Sequence, residues 1–516
     1  MTNPDNNKKF SLIIVLLLLL LGGVALFIGS WYVLHGDLNF HTDIARDFLL
    51  MQEISSKKVV LIGPRADWKG LFHGPLWLYF NYPAFFIGNG NPVIVGWYWV
   101  AVTALFSSIY YFLYKNIFGQ RVALLFSILF LVCMETYMNN FYNPTGALFM
   151  APLFFYFAIY YYKKRSIVYM MLHLLFVGFM AQFQLAAGIP FIILSSLWLM
   201  YEILKTKKYS HLLGFFILII PFAPTILFNI KHHFSYVTAV IDHFSGKEQI
   251  LQLSLREKIS NRIEVLSGQG LGFFSKGEYN AYHVLIGYLM AIGIFIAIKS
   301  KELKNKFIYI LFLYFYFGFY ILSLIHNNLV LSHYFLPFIT LPILIFCSLY
   351  ELINKKIFAI VYILIVLVNF YAGYTVIHDS EGFIGKDKTS WKFMSSVATK
   401  AYNMAGDNDF GLYVYAPDVY AYAGKYAVSY TQTLFPTKKM HYNQKLRETI
   451  LIYEPAPSTR PELNGDDWKI YNVKIKKSPV AVYTFPNGYK IEKYILTENE
   501  QMVKSDSLID DWISQR

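Results

Sequence analysis

Charge is scarce in this chain. Only 15% of its 516 residues are Asp, Glu, Lys or Arg, where a soluble domain carries about 25%. Cysteine is scarcer still: Cys133 and Cys347 are the two, and both sit inside apolar runs. No disulfide framework or cysteine-based metal centre follows from them. The absence of internal repeats and low-complexity tracts excludes solenoids and repeat arrays. Within the apolar runs the main ionisable residues are His173 and Glu135. A charge at mid-bilayer costs about 2.5–3.5 kcal/mol on insertion scales, so function usually explains one that is there. A proton- or ion-coupled transporter would carry more buried charge, or paired broken helices at the midplane. His173 reads as a satisfied core histidine. Glu135, near the outer end of its run, is within reach of a site there.

What the chain has is apolar length. Hydrophobic residues make up 56% and aromatics 19%, in runs such as Ser11 to Ile28 and Ile357 to Phe370. Runs of about 18 or more apolar residues read as membrane spans. Eleven are expected, near 10–30, 93–114, 120–138, 145–162, 166–183, 185–203, 211–230, 281–298, 307–325, 333–353 and 357–377. The joints this count places in the cytoplasm are all basic, among them Lys163-Lys164-Arg165 and Lys355-Lys356. With Lys8 and Lys9 they hold sixteen Lys and Arg against four acids, nearly the whole net charge of +13. The basic excess is therefore topological, as the positive-inside rule requires, and no argument for nucleic acid. The first run reads as an uncleaved signal anchor with a cytoplasmic N-terminus.

The expected fold class is mainly α: a polytopic membrane domain over 1–377 and a small α/β domain over 378–516, outside the cytoplasm. The first outer loop, about 31–92, is too long for a linker. It reads as a helix near 42–55, a β-prone run Val59 to Ile62, a Gly/Pro-punctuated stretch to Pro75, and a short apolar segment, Leu76 to Ile87, lying at the membrane interface. In the tail, Trp391 to Met404 reads as an amphipathic helix. Gly411 to Ala416 and Thr449 to Tyr453 read as strands. Asn487-Gly488 joins Val480 to Phe485 and Tyr489 to Ile495 as a hairpin.

The first outer loop opens with His41-Thr42-Asp43-Ile44-Ala45-Arg46-Asp47. On a helix, Asp43, Arg46 and Asp47 share one face. Spacing alone leaves a capped surface helix open, with Thr42 as N-cap and Asp43 favouring the positive dipole end. Other polar residues belong to the same membrane side. They are Arg65, Asp67, Lys69 and His73 in the loop, Asn143 and Pro144 in one turn, Gln182 and Gln184 in another, and His333 and Tyr334 at a span start. Singly they read as head-group anchors or ordinary turn residues.

The ordered set resembles the GT-C class of polytopic glycosyltransferases, in the bacterial branch related to protein O-mannosyltransferases and lipid A aminoarabinose transferase. The matching pieces are Asp43-Ile44-Ala45-Arg46-Asp47, Gly63-Pro64, His73-Gly74-Pro75-Leu76, Tyr142-Asn143-Pro144-Thr145, Gln182-Phe183-Gln184-Leu185 and His333-Tyr334-Phe335-Leu336-Pro337. Two departures stand out. Many relatives have Asp-Glu where this chain has Asp43-Ile44, and often His at Gln184.

The resemblance implies a polyprenyl-phosphate sugar donor and an acceptor hydroxyl on a glycan, lipid or protein at the outer face of a bacterial plasma membrane. It implies Asp43 as general base, with His41, Arg46 and Asp47 supporting. Arg65, Lys69 and His73 are then candidates for the donor phosphate, and Asn143, Gln182, Gln184, His333 and Tyr334 for the cavity. A divalent metal, held by Asp43 and Asp47 if at all, is used by some relatives; no spacing here demands one. Two rival readings are a flippase for lipid-linked oligosaccharides and a non-enzymatic envelope assembly protein.

Overall fold

The computed structural model describes residues 11–66, 68, 70–245, 253–265, 281–300, 305–418 and 420–506. Two compact units emerge. The first comprises residues 1–30, 57–81 and 98–377, the second residues 31–56, 82–97 and 378–516. The segment over residues 31–92 is thus shared: its helix over 42–57 packs with the tail.

Among the described residues, eight helices are long and apolar enough to cross a membrane, from Leu12–Gly29 to Lys355–Phe383. Three further apolar helices, Gln120–Met134, Ile167–Phe183 and Gly287–Lys299, fall at expected spans but are shorter. In the first unit, Ile167–Phe183 and Leu185–Thr206 are separated by one extended residue, Gln184, at φ −148° and ψ 107°. Its N–H donates back to Met180 O and its carbonyl accepts from Gly188 N–H, both at 2.8 Å, so one residue ends one helix and starts the next. His173 is fully buried and its Nδ1 bonds the Phe154 carbonyl at 2.9 Å, while its Nε2 is buried with no hydrogen-bond partner among the described residues, so the satisfied core histidine expected is satisfied at one nitrogen only. Val59 to Ile62 forms no strand; Val60 instead exchanges both backbone bonds with the Tyr79 hydroxyl at 2.9 Å.

The second unit holds a five-stranded sheet in the order β2-β1-β3-β5-β4. The strands are β1 (Phe410–Tyr415), β2 (Met440–Tyr442), β3 (Glu448–Tyr453), β4 (Ala481–Thr484) and β5 (Lys490–Ile495). β1 runs parallel to β2 and β3, while β5 runs antiparallel to β3 and β4. The β4–β5 turn carries Gly488 at φ +90°, a conformation that Asn-Gly turns supply cheaply. The helix Tyr422–Gln432 between β1 and β2, and the edge strand β2 itself, have no counterpart in the sequence reading.

Asp37 joins residues 31–56 to the tail. Its carboxylate is fully buried. Oδ1 accepts from the N–H groups of Leu38 (2.8 Å) and Lys392 (3.0 Å); Oδ2 accepts from Ser390 Oγ (2.6 Å) and Gly385 N–H (3.1 Å). Four donors replace the lost water, which is what a buried carboxylate needs. Beside it Phe40 packs edge-on to Phe48 and Trp391, at 5.3 and 5.0 Å between ring centres. Tyr426 packs on the same cluster and donates to the Gly90 carbonyl.

Candidate active site

The helix Thr42–Lys57 is capped by His41 rather than by Thr42. The His41 carbonyl accepts from Ala45 N–H at 2.9 Å, and His41 Nδ1 accepts from Asp43 N–H at 3.2 Å. An accepting Nδ1 places the proton of the neutral ring on Nε2. Thr42, inside the helix, donates its hydroxyl to Asp418 Oδ2 at 3.0 Å in the loop after β1. Asp418 Oδ1 meanwhile accepts from the N–H groups of Tyr420 and Ala421, both at 3.0 Å.

Arg46 bridges the two carboxylates of this helix face. Nη1 lies 2.6 Å from Asp43 Oδ1, while Nε and Nη2 both reach Asp47 Oδ1, at 3.1 and 3.0 Å. Side-chain exposure separates the acids: Asp43 is 47% exposed and Asp47 5%. Burial works against the Arg46 charge, but Asp47 and then Asp43 outweigh it and hold its pKa above the ordinary value. Asp43 is thus an oriented carboxylate facing solvent, and Asp47 a buried counter-ion. The position between them is filled by the guanidinium, so a metal bridging both does not fit the arrangement. Among the described residues no group of three or more His, Cys, Asp or Glu could hold a metal ion.

In the first unit the other motif pieces interlock. Gly63 N–H donates to His73 O and His73 N–H to Pro64 O, both at 2.8 Å, and Arg65 pairs with Phe72 as an antiparallel bridge. Tyr236 fixes this loop by donating to Phe72 O at 2.7 Å. Gly74 lies against Gln182 so closely that a Cβ there would sit 1.7 Å from Gln182 Oε1. His73 Nδ1 accepts from Leu185 N–H at 3.2 Å, again leaving the proton on Nε2. Asn143 Nδ2 donates to Phe183 O at 2.9 Å and to Gln184 Oε1 at 3.2 Å. The spaced motifs therefore meet at the helix break around Gln184. There Asn143, Gln182 and Gln184 are each at most 5% exposed: Asn143 bonds the Phe183 carbonyl and the Gln184 amide, and Gln182 Nε2 donates to Thr225 Oγ1 at 3.3 Å.

Those three amides do not line the nearby cavity; His333 does, beside Tyr142, whose ring is 6.0 Å away and edge-on. Tyr334 is buried against His333. Arg65 is partly exposed, and Lys69 and Asp67 lie outside the described residues. Sequence reasoning passed over Asp37 and Asp418, isolated acids in segments without a motif, and over Tyr137 and Asn140, which belong to no motif piece.

No family's sequence profile matches this chain, and no curated protein matches it. Its fold does have solved counterparts. Two are crystal structures of ArnT from Cupriavidus metallidurans. The one bound to undecaprenyl phosphate covers 94% of this chain and 98% of its own, with a TM-score of 0.59 and 12% identity. The apo form covers 93% and 97%, with a TM-score of 0.58 and 11% identity. An oligosaccharyltransferase from Archaeoglobus fulgidus, in complex with zinc and sulfate, covers 92% of this chain and 73% of its own at 10% identity; its TM-score of 0.44 supports no argument. The class is thus set: a membrane-type helical bundle with a small terminal sheet domain, the GT-C fold. The particular form is that of ArnT, along nearly the whole chain.

Proposed function

We propose that this protein is a membrane glycosyltransferase. It moves a sugar from a polyprenyl-phosphate donor to an acceptor hydroxyl on an envelope glycan, lipid or protein, at the extracytoplasmic face of a bacterial plasma membrane. The observation that carries the reading is the Arg46 bridge, which presents Asp43 and buries Asp47 on a fold shared with an undecaprenyl-phosphate-bound protein.

An acceptor hydroxyl is a weak nucleophile at neutral pH and needs a positioned base. Asp43 takes the hydroxyl proton as the acceptor oxygen bonds to the anomeric carbon. The bond from that carbon to the phosphate oxygen breaks, and its electron pair leaves on the lipid phosphate. Attack opposite the leaving group inverts the anomeric centre. Arg46 keeps Asp43 oriented, with Asp47 as its counter-ion and His41 fixing the helix start. Developing charge on the phosphate is met by cations, among which an Arg fork binds bidentately. Arg65 and Lys69 take that role, and His73 Nε2–H adds a neutral donor. His333 and Tyr334 serve the sugar side, and Asn143, Gln182 and Gln184 hold the break behind His73. The basic joints and the N-terminus are cytoplasmic, and the tail, 378–516, is outside.

Mass spectrometry of envelope glycans and lipids tests the reading, comparing cells carrying the wild type with cells carrying Asp43→Asn. A glycosylated species lost in the variant supports it. Identical profiles contradict it.

A further inference from the structure

We infer that the helix Leu255–Val265 is seated on phospholipid, at the leaflet where the span Lys306–Ser323 ends. A buried cation fixes its place. Arg262 is 2% exposed, and its four hydrogen bonds all go to carbonyl oxygens. Nη2 donates to Ser323 O at 3.0 Å and His326 O at 2.8 Å. Nη1 donates to Asn328 O at 3.0 Å and Asn261 Oδ1 at 2.8 Å. Ser323 is the last residue of the span helix. The final carbonyls of a helix have no partner inside it and carry the negative end of its dipole. That end stands in for the carboxylate that a buried guanidinium otherwise needs. Lys258 Nζ adds a bond to Asn327 Oδ1 at 2.8 Å, and Asn261 Oδ1 accepts from Val330 N–H at 2.9 Å. The helix is therefore held at the depth where the span stops.

The helix has three faces rather than two. Lys258, Asn261 and Arg262 hold the protein. Beside them Leu255, Ile259 and Ile263 recur every fourth residue and form one stripe, 64%, 42% and 60% exposed. The remaining side is polar, with Arg256, Glu257, Ser260 and Glu264. A surface helix in water buries its apolar stripe and shows water only polar groups. An apolar stripe left open between a protein face and a polar face suits a membrane rim, where protein, acyl chains and water meet.

Continuity and charge name the occupant. Ile321 and Ile325, at the end of the same span, are 67% and 61% exposed, so the lipid-facing surface reaches the level at which Arg262 holds the helix. Arg256 borders the stripe next to Ile263. From there its guanidinium meets lipid phosphate while its stem covers apolar surface. The helix Ser235–Phe244 repeats the division. Tyr236 and His243 are buried, Val237 and Ile241 are exposed, and Thr238 and Asp242 take the third side. It too follows a span end, at Lys231, after the turn 232–234.

The test uses the full-length protein in nanodiscs of phosphatidylethanolamine and phosphatidylglycerol. A nitroxide is attached to one introduced cysteine, Ile259→Cys or Glu264→Cys. Cys133 and Cys347 are buried, and mock-labelled wild type corrects for them. Collision with oxygen, which concentrates among acyl chains, is compared with collision with a water-soluble nickel chelate. The oxygen-to-nickel ratio is expected to be at least about threefold higher at 259 than at 264. Equal ratios put the stripe in water and overturn the inference. A label at 259 that neither reagent reaches lies under protein, a second copy included, and overturns it as well. Arg262→Gln, added to Ile259→Cys, is expected to mobilise the label and to lower its ratio at least about twofold. Lys258→Met, which removes the Asn327 bond, serves where Arg262→Gln does not fold. An unchanged spectrum and ratio would overturn the claim that these cations set the depth of the helix.

Discussion

Arg46 Nη1 lies 2.6 Å from Asp43 Oδ1, yet the same guanidinium spends two of its donors on Asp47. Exposure decides what each pair contributes. With Asp43 half exposed, its pair contributes under about 1 kcal/mol to stability. Asp47 is buried, and taking the guanidinium from a buried carboxylate costs about 3 kcal/mol. Arg46→Ala is therefore expected to lower the melting temperature by several degrees, while Asp43→Asn leaves it nearly unchanged. Thermal unfolding of the two variants checks this, and the reverse ranking would remove Asp47 as the structural partner.

The helix break at Gln184 predicts a rescue. A Cβ at residue 74 collides with the Gln182 amide and with nothing nearer. Gly74→Ala should displace Gln182 and the His73 loop, with at least a tenfold loss of transfer activity. Adding Gln182→Ala removes the colliding amide and should recover most of that loss. If the double variant is no better than Gly74→Ala alone, the close approach is not what Gly74 is for.

Asp37 offers a purely structural test. Its four donors are backbone and hydroxyl groups that no other carboxylate reaches in these contacts. Asp37→Ala strands several of them in a buried place and should cost about 3 kcal/mol or more. Chemical denaturation of the full-length protein, followed at the tail's tryptophans, measures it. A cost below about 1 kcal/mol would show that the network is dispensable.

Lys445 gives the tail a pH dependence. Its ammonium is buried on the carbonyls of Val503 (2.8 Å) and Lys474 (3.3 Å), and burial and then Lys474 push its pKa down to about 8. The unfolded chain keeps an ordinary lysine, near 10.4, and so binds more protons between those values. Stability should therefore rise with pH from about 8 toward 10.4, and the penalty for burying the charge is complete below about 8. Lys445→Met should flatten that slope. An unfolding midpoint that falls across this window equally in both proteins would contradict the assignment.

The elements that periodicity and turn chemistry specify were legible in the sequence. The apolar helix Leu76–Ile87 has the expected bounds, and Trp391–Met404 and the Asn487-Gly488 hairpin follow from local pattern. His173 was legible in part: it is a core histidine with Nδ1 on the Phe154 carbonyl, but its Nε2 has no hydrogen-bond partner among the described residues. What the sequence hid was long-range pairing. Asp37 and Asp418 find partners some 350 to 376 residues away, and a lone acid carries no sign of that. Asn143, Gln182 and Gln184 read as cavity groups because an amide at an outer turn has the same sequence appearance whether it meets a substrate or a broken helix. Thr42 looked like a cap because Thr caps helices; His41 has the role because its Nδ1 accepts from Asp43 N–H, two residues on.

The proposed general-base role of Asp43 is tested most directly by single-turnover transfer from whichever polyprenyl-phosphate sugar supports wild-type transfer. Asp43→Asn keeps shape and stability while removing the basic oxygen. The account predicts donor affinity within about twofold of the wild type and a chemical step slowed at least a hundredfold, the scale of a lost general base. Transfer at near wild-type rate by a folded, donor-bound Asp43→Asn enzyme would contradict it.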